Sequence, residues 1–171
     1  MPDGHGLTFL LGGARSGKSA HAETLVGAHR APWTYIATAQ AHDDEMTERI
    51  ALHRARRGDG WDTVDAPLDL TGALRGVPDG QPVLVDCLTL WLSNHLLAGN
   101  DLDAASGELE ALLAAPRGPW FVVSNEVGLG IVPDNRLARE FRDAQGRLNQ
   151  RIAARADHVL FMVAGLPLKV K

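Results

Sequence analysis

Eight contiguous residues carry the clearest chemistry. Gly12-Gly13-Ala14-Arg15-Ser16-Gly17-Lys18-Ser19 fits G-x-x-x-x-G-K-[ST] at all four fixed positions. The motif follows an apolar run directly and opens a helical pattern, the setting in which backbone N–H groups form an anion nest at a positive helix end. Its glycines let the main chain wrap a phosphate with no side chain in the way. Lys18 is expected to bridge the β- and γ-phosphates, and Ser19 to ligate Mg²⁺. Lysine occurs otherwise only at Lys169 and Lys171, so the body of the chain has a single candidate for lysine chemistry, and it falls in this motif. Val83-Leu84-Val85-Asp86 puts a carboxylate at the end of a buried run, where a Mg²⁺-holding acid belongs beside such a loop. Alone, that pattern is also a common turn.

A second constellation runs from Asp43 to Arg57. Acid collects in the first turn and base in the last, which suits the helix dipole. Glu45 and Arg49 stand four apart, as do Arg49 and His53. His53, Arg54, Arg56 and Arg57 therefore cluster at the helix end, a setting for polyphosphate with an imidazole in it. Neutral imidazole can attack an α-phosphorus, and arginines can offset the charge of the pentacoordinate state. The spacing equally allows a solvated helix on which Met46, Ile50 and His53 share an apolar face. A third segment, Ser124-Asn125-Glu126-Val127-Gly128-Leu129-Gly130-Ile131-Val132-Pro133, follows a strand-like run. It reads as an active-site loop or as a plain connection.

The elements that must hold these residues alternate. Strands are expected at Leu7–Leu11, Trp33–Thr38, Trp61–Val64, Val83–Val85, Trp120–Val123, His158–Val163 and Leu166–Val170. Helices are expected at Lys18–Ala28, Asp43–Arg57, Pro67–Leu74, Leu88–Leu97, Leu102–Ala115 and Pro133–Ala156, the last with Gly146 inside it. The strands are continuous apolar runs, as a sheet covered on both faces requires. The expected fold is α/β, with a mostly parallel sheet flanked by helices.

The chain has 171 residues, 45% apolar and 22% charged, and is expected to form one nucleotide-binding α/β domain over residues 1–171. Its net charge is −4. No basic field points to nucleic acid or an anionic membrane. Cys87 is the lone cysteine, which excludes an intrachain disulfide and a multi-cysteine zinc site. No apolar stretch reaches membrane-spanning length and no signal-peptide pattern opens the chain. A cytoplasmic protein without a membrane span is expected.

Taken together, GGARSGKS at 12–19, YIATA at 35–39, DDEMTERI at 43–50 running into HRARR at 53–57, the long stretch from Ser124 to Ala153, and AGLPLKVK at 164–171 resemble the bifunctional adenosylcobinamide kinase / adenosylcobinamide-phosphate guanylyltransferase family. The resemblance spans nearly the whole chain apart from 99–118. It implies a phosphate-loop NTPase core of the recombinase type, assembled as a homotrimer. It implies phosphorylation of adenosylcobinamide with ATP or GTP, then transfer of GMP from GTP to adenosylcobinamide phosphate. The products are adenosylcobinamide-GDP and pyrophosphate. By motif position His53 is the residue that carries the guanylyl group. Nucleotide contacts map to residues 12–19, to Ala37, Thr38 and Ala39, to Arg54, Ala55, Arg56 and Arg57, and to Asp65 and Asp86. Two rivals remain open at this point: a small-molecule kinase moving only a γ-phosphate, and a nucleotide-dependent switch.

Overall fold

The computed structural model describes residues 5–41 and 43–171; the side chains of Arg49, His53 and Arg56 lie outside the described set. The strands are β1 (Gly6–Gly12), β2 (Trp33–Ala37), β3 (Trp61–Asp65), β4 (Val83–Asp86), β5 (Pro119–Asn125), β6 (His158–Val163) and β7 (Leu166–Lys169). The helices are α1 (Lys18–Gly27), α2 (Asp44–Arg56), α3 (Leu70–Gly76), α4 (Leu88–Leu97), α5 (Leu102–Leu113) and α6 (Arg136–Arg155). One sheet runs β3-β2-β4-β5-β1-β6-β7, parallel throughout except for the β6–β7 pair. This is the expected α/β architecture. β5 lies between β1 and β4, so the strand carrying the glycine motif and the strand carrying Asp86 are next-nearest neighbours.

Strand alternation assigns each side chain to a face. Leu10, Tyr35, Leu84, Phe121 and Val123 pack with Ala22 and Val26 of α1. Leu7, Phe9, Ile36, Val85, Trp120 and Val122 point the other way and pack with Leu74, Trp91, Leu113, Leu148 and Ile152 of α3–α6. Both faces are covered, which is why the strands read as unbroken apolar runs.

Helix starts follow cap chemistry more than proline. α3, expected from Pro67, begins at Leu70, because Asp69 accepts from Gly72 N (2.9 Å). Residues 67–68 are held as a loop: the Pro67 carbonyl accepts from Asn94 Nδ2 (2.9 Å) and that of Leu68 from Trp91 Nε1 (2.9 Å). α6, expected from Pro133, begins at Arg136 because Asn135 accepts from Ala138 N (2.8 Å). β5 runs to Asn125, two residues past its apolar stretch, since Ser124 and Asn125 still pair with Leu11 and Gly12 of β1. Among the described residues no helix is long and apolar enough to cross a membrane.

Candidate active site

The glycine motif connects β1 to α1 as its sequence requires. Gly17 caps α1 at φ 91°, a left-handed conformation suited to glycine. Gly12 is required by close approach: a Cβ there would lie 2.6 Å from Ser16 Oγ and 2.8 Å from the Met162 carbonyl. Gly13 is different, since a Cβ would meet nothing within 4 Å. Ala14 and Arg15 are exposed at the tip, Arg15 at φ 54°. Lys18 is buried, and its Nζ donates to the Gly13 carbonyl (2.5 Å) and to Ser16 Oγ (3.4 Å). The ammonium is thus folded back along the loop.

Ser19 lines a cavity at the C-terminal ends of the parallel strands. The floor comes from the sheet face that α1 covers. Tyr35, Ala37, Asp86 and Asn125 all share the parity of Leu84 and Val123, so three strands deliver side chains to one side. Asp86 accepts a hydrogen bond from Tyr35 Oη at Oδ2 (3.0 Å). Burial, and then the neighbouring Asp86 charge, hold the Tyr35 phenol far above its usual range, so it stays a donor. The Arg57 guanidinium lies over the Tyr35 ring, 3.5 Å from its centroid, and Trp61 meets the same ring edge-on. Arg57 Nη1 is buried and, among the described residues, has no hydrogen-bond partner. The cavity is open to one side and measures about 150 Å³, room for a ring-sized group.

The 37–39 segment divides in role. Ala37 and Ala39 line the cavity. Thr38 is fully buried; its hydroxyl donates to the Cys87 carbonyl (2.7 Å) and accepts from Cys87 N (2.8 Å). That latch ties the end of β2 to the end of β4. Cys87 itself is buried, and burial, reinforced by the Asp86 charge, pushes its thiol up to about 11.

α2 crosses the open side of the cavity. Asp43 caps it by accepting from Met46 N (2.7 Å), contributing about 1 kcal/mol. Met46, Ile50 and Arg54, four apart, line the cavity. Arg54 Nη2 donates to both Asp65 carboxylate oxygens (3.1 Å each), with both side chains more than half exposed. In that setting the pair stabilises the fold by at most about 1 kcal/mol. Ala55 is exposed. The side chains of His53 and Arg56 lie outside the described residues. Met46 and Ile50, with which His53 shares a helix face by spacing, both face the cavity.

The sequence does not single out Thr89, and it offers Asn125 only within the 124–133 segment. Both line the cavity, and Thr89 Oγ1 accepts from Asn125 N (2.7 Å). Parity was the available signal: a polar residue ending a buried strand, in phase with Phe121 and Val123, faces α1. Beneath it, fully buried Ser124 donates to Asn149 Oδ1 (2.7 Å), and Gln145 Nε2 donates to both Ser124 Oγ and Asn149 Oδ1 (2.9 Å each).

Residues 8–170 match the family model described as cobinamide kinase / cobinamide phosphate guanyltransferase. The chain belongs to that family. Among relatives, this cobinamide kinase / guanyltransferase family member is similar to the bifunctional adenosylcobalamin biosynthesis protein CobP of Pseudomonas aeruginosa. The two are 51% identical over 167 residues, covering 95% of this chain and 96% of that one. It is also similar to the bifunctional adenosylcobalamin biosynthesis protein CobU of Escherichia coli, at 42% identity over 181 residues and 96% and 99% coverage. Among solved structures, the assembled ATPase EscN of the enteropathogenic E. coli type III secretion system superposes with a TM-score of 0.55 at 12% identity. The match covers 94% of this chain and 43% of that one, and it speaks to the fold alone. The fold is that of phosphate-loop NTPases, and the family is one of transferases in adenosylcobalamin biosynthesis.

Proposed function

We propose that the protein phosphorylates adenosylcobinamide with ATP or GTP and then guanylylates the product through His53. In the second reaction an imidazole nitrogen of His53 attacks the α-phosphorus of GTP. A P–N bond forms, the bond to the bridging oxygen breaks, and pyrophosphate leaves with that electron pair. The phosphate oxygen of adenosylcobinamide phosphate then attacks the same phosphorus and frees the imidazole, giving adenosylcobinamide-GDP. Splitting one displacement into two lowers each barrier.

The observation that carries this reading is the meeting of the phosphate loop, Asp86 and the inner stripe of α2 around one cavity. Three further features support it. Among the described residues Arg57 Nη1 is a buried donor without a hydrogen-bond partner, a costly state that a phosphate oxygen would relieve. Gly13 leaves the rim of the loop open, with nothing among the described residues within 4 Å of where a Cβ would stand. Arg54 can exchange its exposed Asp65 partner for an anion at little cost.

Mg²⁺ fits the donor set. The described residues hold no cluster of three or more His, Cys, Asp or Glu. An ion here would take the Ser19 hydroxyl, the Asp86 carboxylate and otherwise phosphate and water oxygens, as Mg²⁺ does beside nucleotides. When bound it would screen phosphate charge. Tyr35 holds Asp86 through one carboxylate oxygen, Oδ2, and Asp86 lines the cavity.

A homotrimer is part of the same proposal. The test is incubation with GTP labelled at the α-phosphate. The wild-type protein is expected to take up label that is acid-labile and base-stable, and His53→Ala to take up none. Label that persists in His53→Ala moves the nucleophile elsewhere. Label only from the γ-phosphate reduces the activity to a kinase.

A further inference from the structure

Both ends of the phosphate loop lean on one hairpin, the β6–β7 turn. A Cβ at Gly12 would lie 2.8 Å from the Met162 carbonyl, and one at Gly17 would lie 3.2 Å from Gly165 Cα. Between these contacts the Gly165 N–H donates to the Ser16 carbonyl (3.0 Å). That bond ties the last hairpin of the chain to its first loop. The turn is built to present the donor. Val163 pairs with Leu166, so Ala164 and Gly165 alone make the connection. Their φ angles are 51° and 81°, the two left-handed conformations that a type I′ turn requires. The ladder closes between Val163 and Leu166, which leaves the N–H of Gly165 outside it and available to the loop.

The consequence follows from the peptide plane. In a planar trans peptide the carbonyl and the next residue's N–H point in opposite directions. Ser16 and Gly17 share one such unit. With the Ser16 carbonyl drawn to the hairpin, the Gly17 N–H is turned away from it. β6 flanks β1 on the side opposite β5, so that direction leads toward the strands whose ends floor the cavity. Among the described residues nothing accepts from the Gly17 N–H. Glycines leave the loop's own conformation weakly fixed, so an outside clamp decides which way this peptide faces. A donor aimed before the ligand arrives needs no reorganisation when a phosphate oxygen reaches it.

We propose that Gly165 is a positioning residue: by holding the Ser16 carbonyl, its N–H sets the Ser16–Gly17 peptide so that the Gly17 N–H donates to a phosphate of the bound nucleotide. The inference rests on the nucleotide reading given above. Its first test needs no variant. Coupling is reciprocal: if the bond favours the binding conformation, bound nucleotide favours the bond by the same factor. Amide exchange of the full chain, followed by NMR, is expected to slow at Gly165 by about 10- to 100-fold with saturating GDP and Mg²⁺, the range for a hydrogen bond to a charged group. The amides of β7 are expected to change less. Unchanged exchange at Gly165 overturns the proposal. The second test moves the donor. One glycine inserted after Ala164 makes a three-residue loop, which hairpins accommodate, but carries the N–H away from Ser16. Calorimetric titration is expected to show GDP and the imido analogue of GTP weakened alike, by about 10- to 100-fold. Ala164→Asn suits the turn and keeps the N–H, so it is expected to bind both as the wild type does. Wild-type affinity in the insertion variant overturns the proposal, as does equal weakening in Ala164→Asn. Should the insertion variant not fold, the exchange measurement decides alone. Failure of the underlying reading looks different: the wild-type protein binds neither nucleotide.

Discussion

Thr38→Val is the sharpest test of how the site is held. Valine matches threonine in shape, so the substitution removes one hydroxyl and little else. That hydroxyl is fully buried and serves two backbone groups of Cys87, accepting from the N–H (2.8 Å) and donating to the carbonyl (2.7 Å). Each buried group left without a partner costs about 1–3 kcal/mol. The added methyl returns roughly 0.8 kcal/mol of apolar burial. The net loss is about 1–5 kcal/mol, which in a chain of this size lowers the melting temperature by roughly 2–20 °C. Thermal and urea unfolding followed by circular dichroism read it, with the urea slope unchanged if the two-state description holds. Thr38→Ser keeps both hydrogen bonds and is expected to lose only about 1 kcal/mol for its methyl group. If Thr38→Val unfolds within about 0.5 kcal/mol of wild type yet loses nucleotide affinity, the hydroxyl is a ligand contact and not a latch, and the reasoning here is refuted.

Alkali should expose the Cys87 thiol. Its pKa rises from 9.0 in the unfolded chain to about 11 in the fold. The unfolded chain therefore ionises first. The group's contribution is intact below pH 9 and falls by about 1.4 kcal/mol per unit between pH 9 and 11. Unfolding measured in EDTA should show that slope, and Cys87→Ala should flatten it between pH 9 and 10, below the range where the raised Tyr35 phenol adds a slope of its own; an equal slope in both over that interval counts against the buried thiol. In α2 none of the described residues is buried. Amide exchange over 44–56 is expected to be fast in the unliganded protein and to slow by up to about a hundredfold with a GTP analogue at 100 times its Kd. Protection equal to that of β1 without ligand, or no slowing with it, would show that the helix is fixed independently of nucleotide.

What could be read from the chain alone was what is local in it. The phosphate loop occupies eight adjacent residues, and Asp86 announces itself by ending an apolar run. Site members brought in by long-range contacts were hidden. Thr38 and Cys87 are 49 residues apart, and only the pairing of β2 with β4 shows that the Thr38 hydroxyl is already engaged. Arg57 rests on Tyr35 through a contact that no helical spacing encodes. Asn125 read as part of a loop because Ser124 and Asn125 are polar. They remain in the strand because β1 continues the ladder beside them and α6 supplies buried partners for Ser124. At α3 and α6, proline was a weaker boundary signal than the Asx caps at Asp69 and Asn135, whose side chains satisfy helical N–H groups that proline cannot reach.

The arrangement explains why the rigid and the adaptable parts of the site fall where they do. Tyr35, Asp86 and Asn125 stand on three neighbouring parallel strands, in one parity, with their ends tied by Thr38, Thr89 and Asn149. A change in one of these ends displaces its neighbours, so this floor can fix phosphate geometry but cannot follow a moving substrate. α2 is the reverse. Among the described residues it is attached by a cap at Asp43, an exposed ion pair at Arg54 and the stacking of Arg57 on Tyr35 at its C-terminal end. Two successive transfers at one phosphorus, under the mechanism proposed here, ask the imidazole to approach and then withdraw as the acceptor replaces pyrophosphate. A nucleophile on the clamped strands would have to strain the sheet to do so. On α2, held at its C-terminal end by the Arg57–Tyr35 contact, the nucleophile proposed at His53 would need only a tilt of the helix.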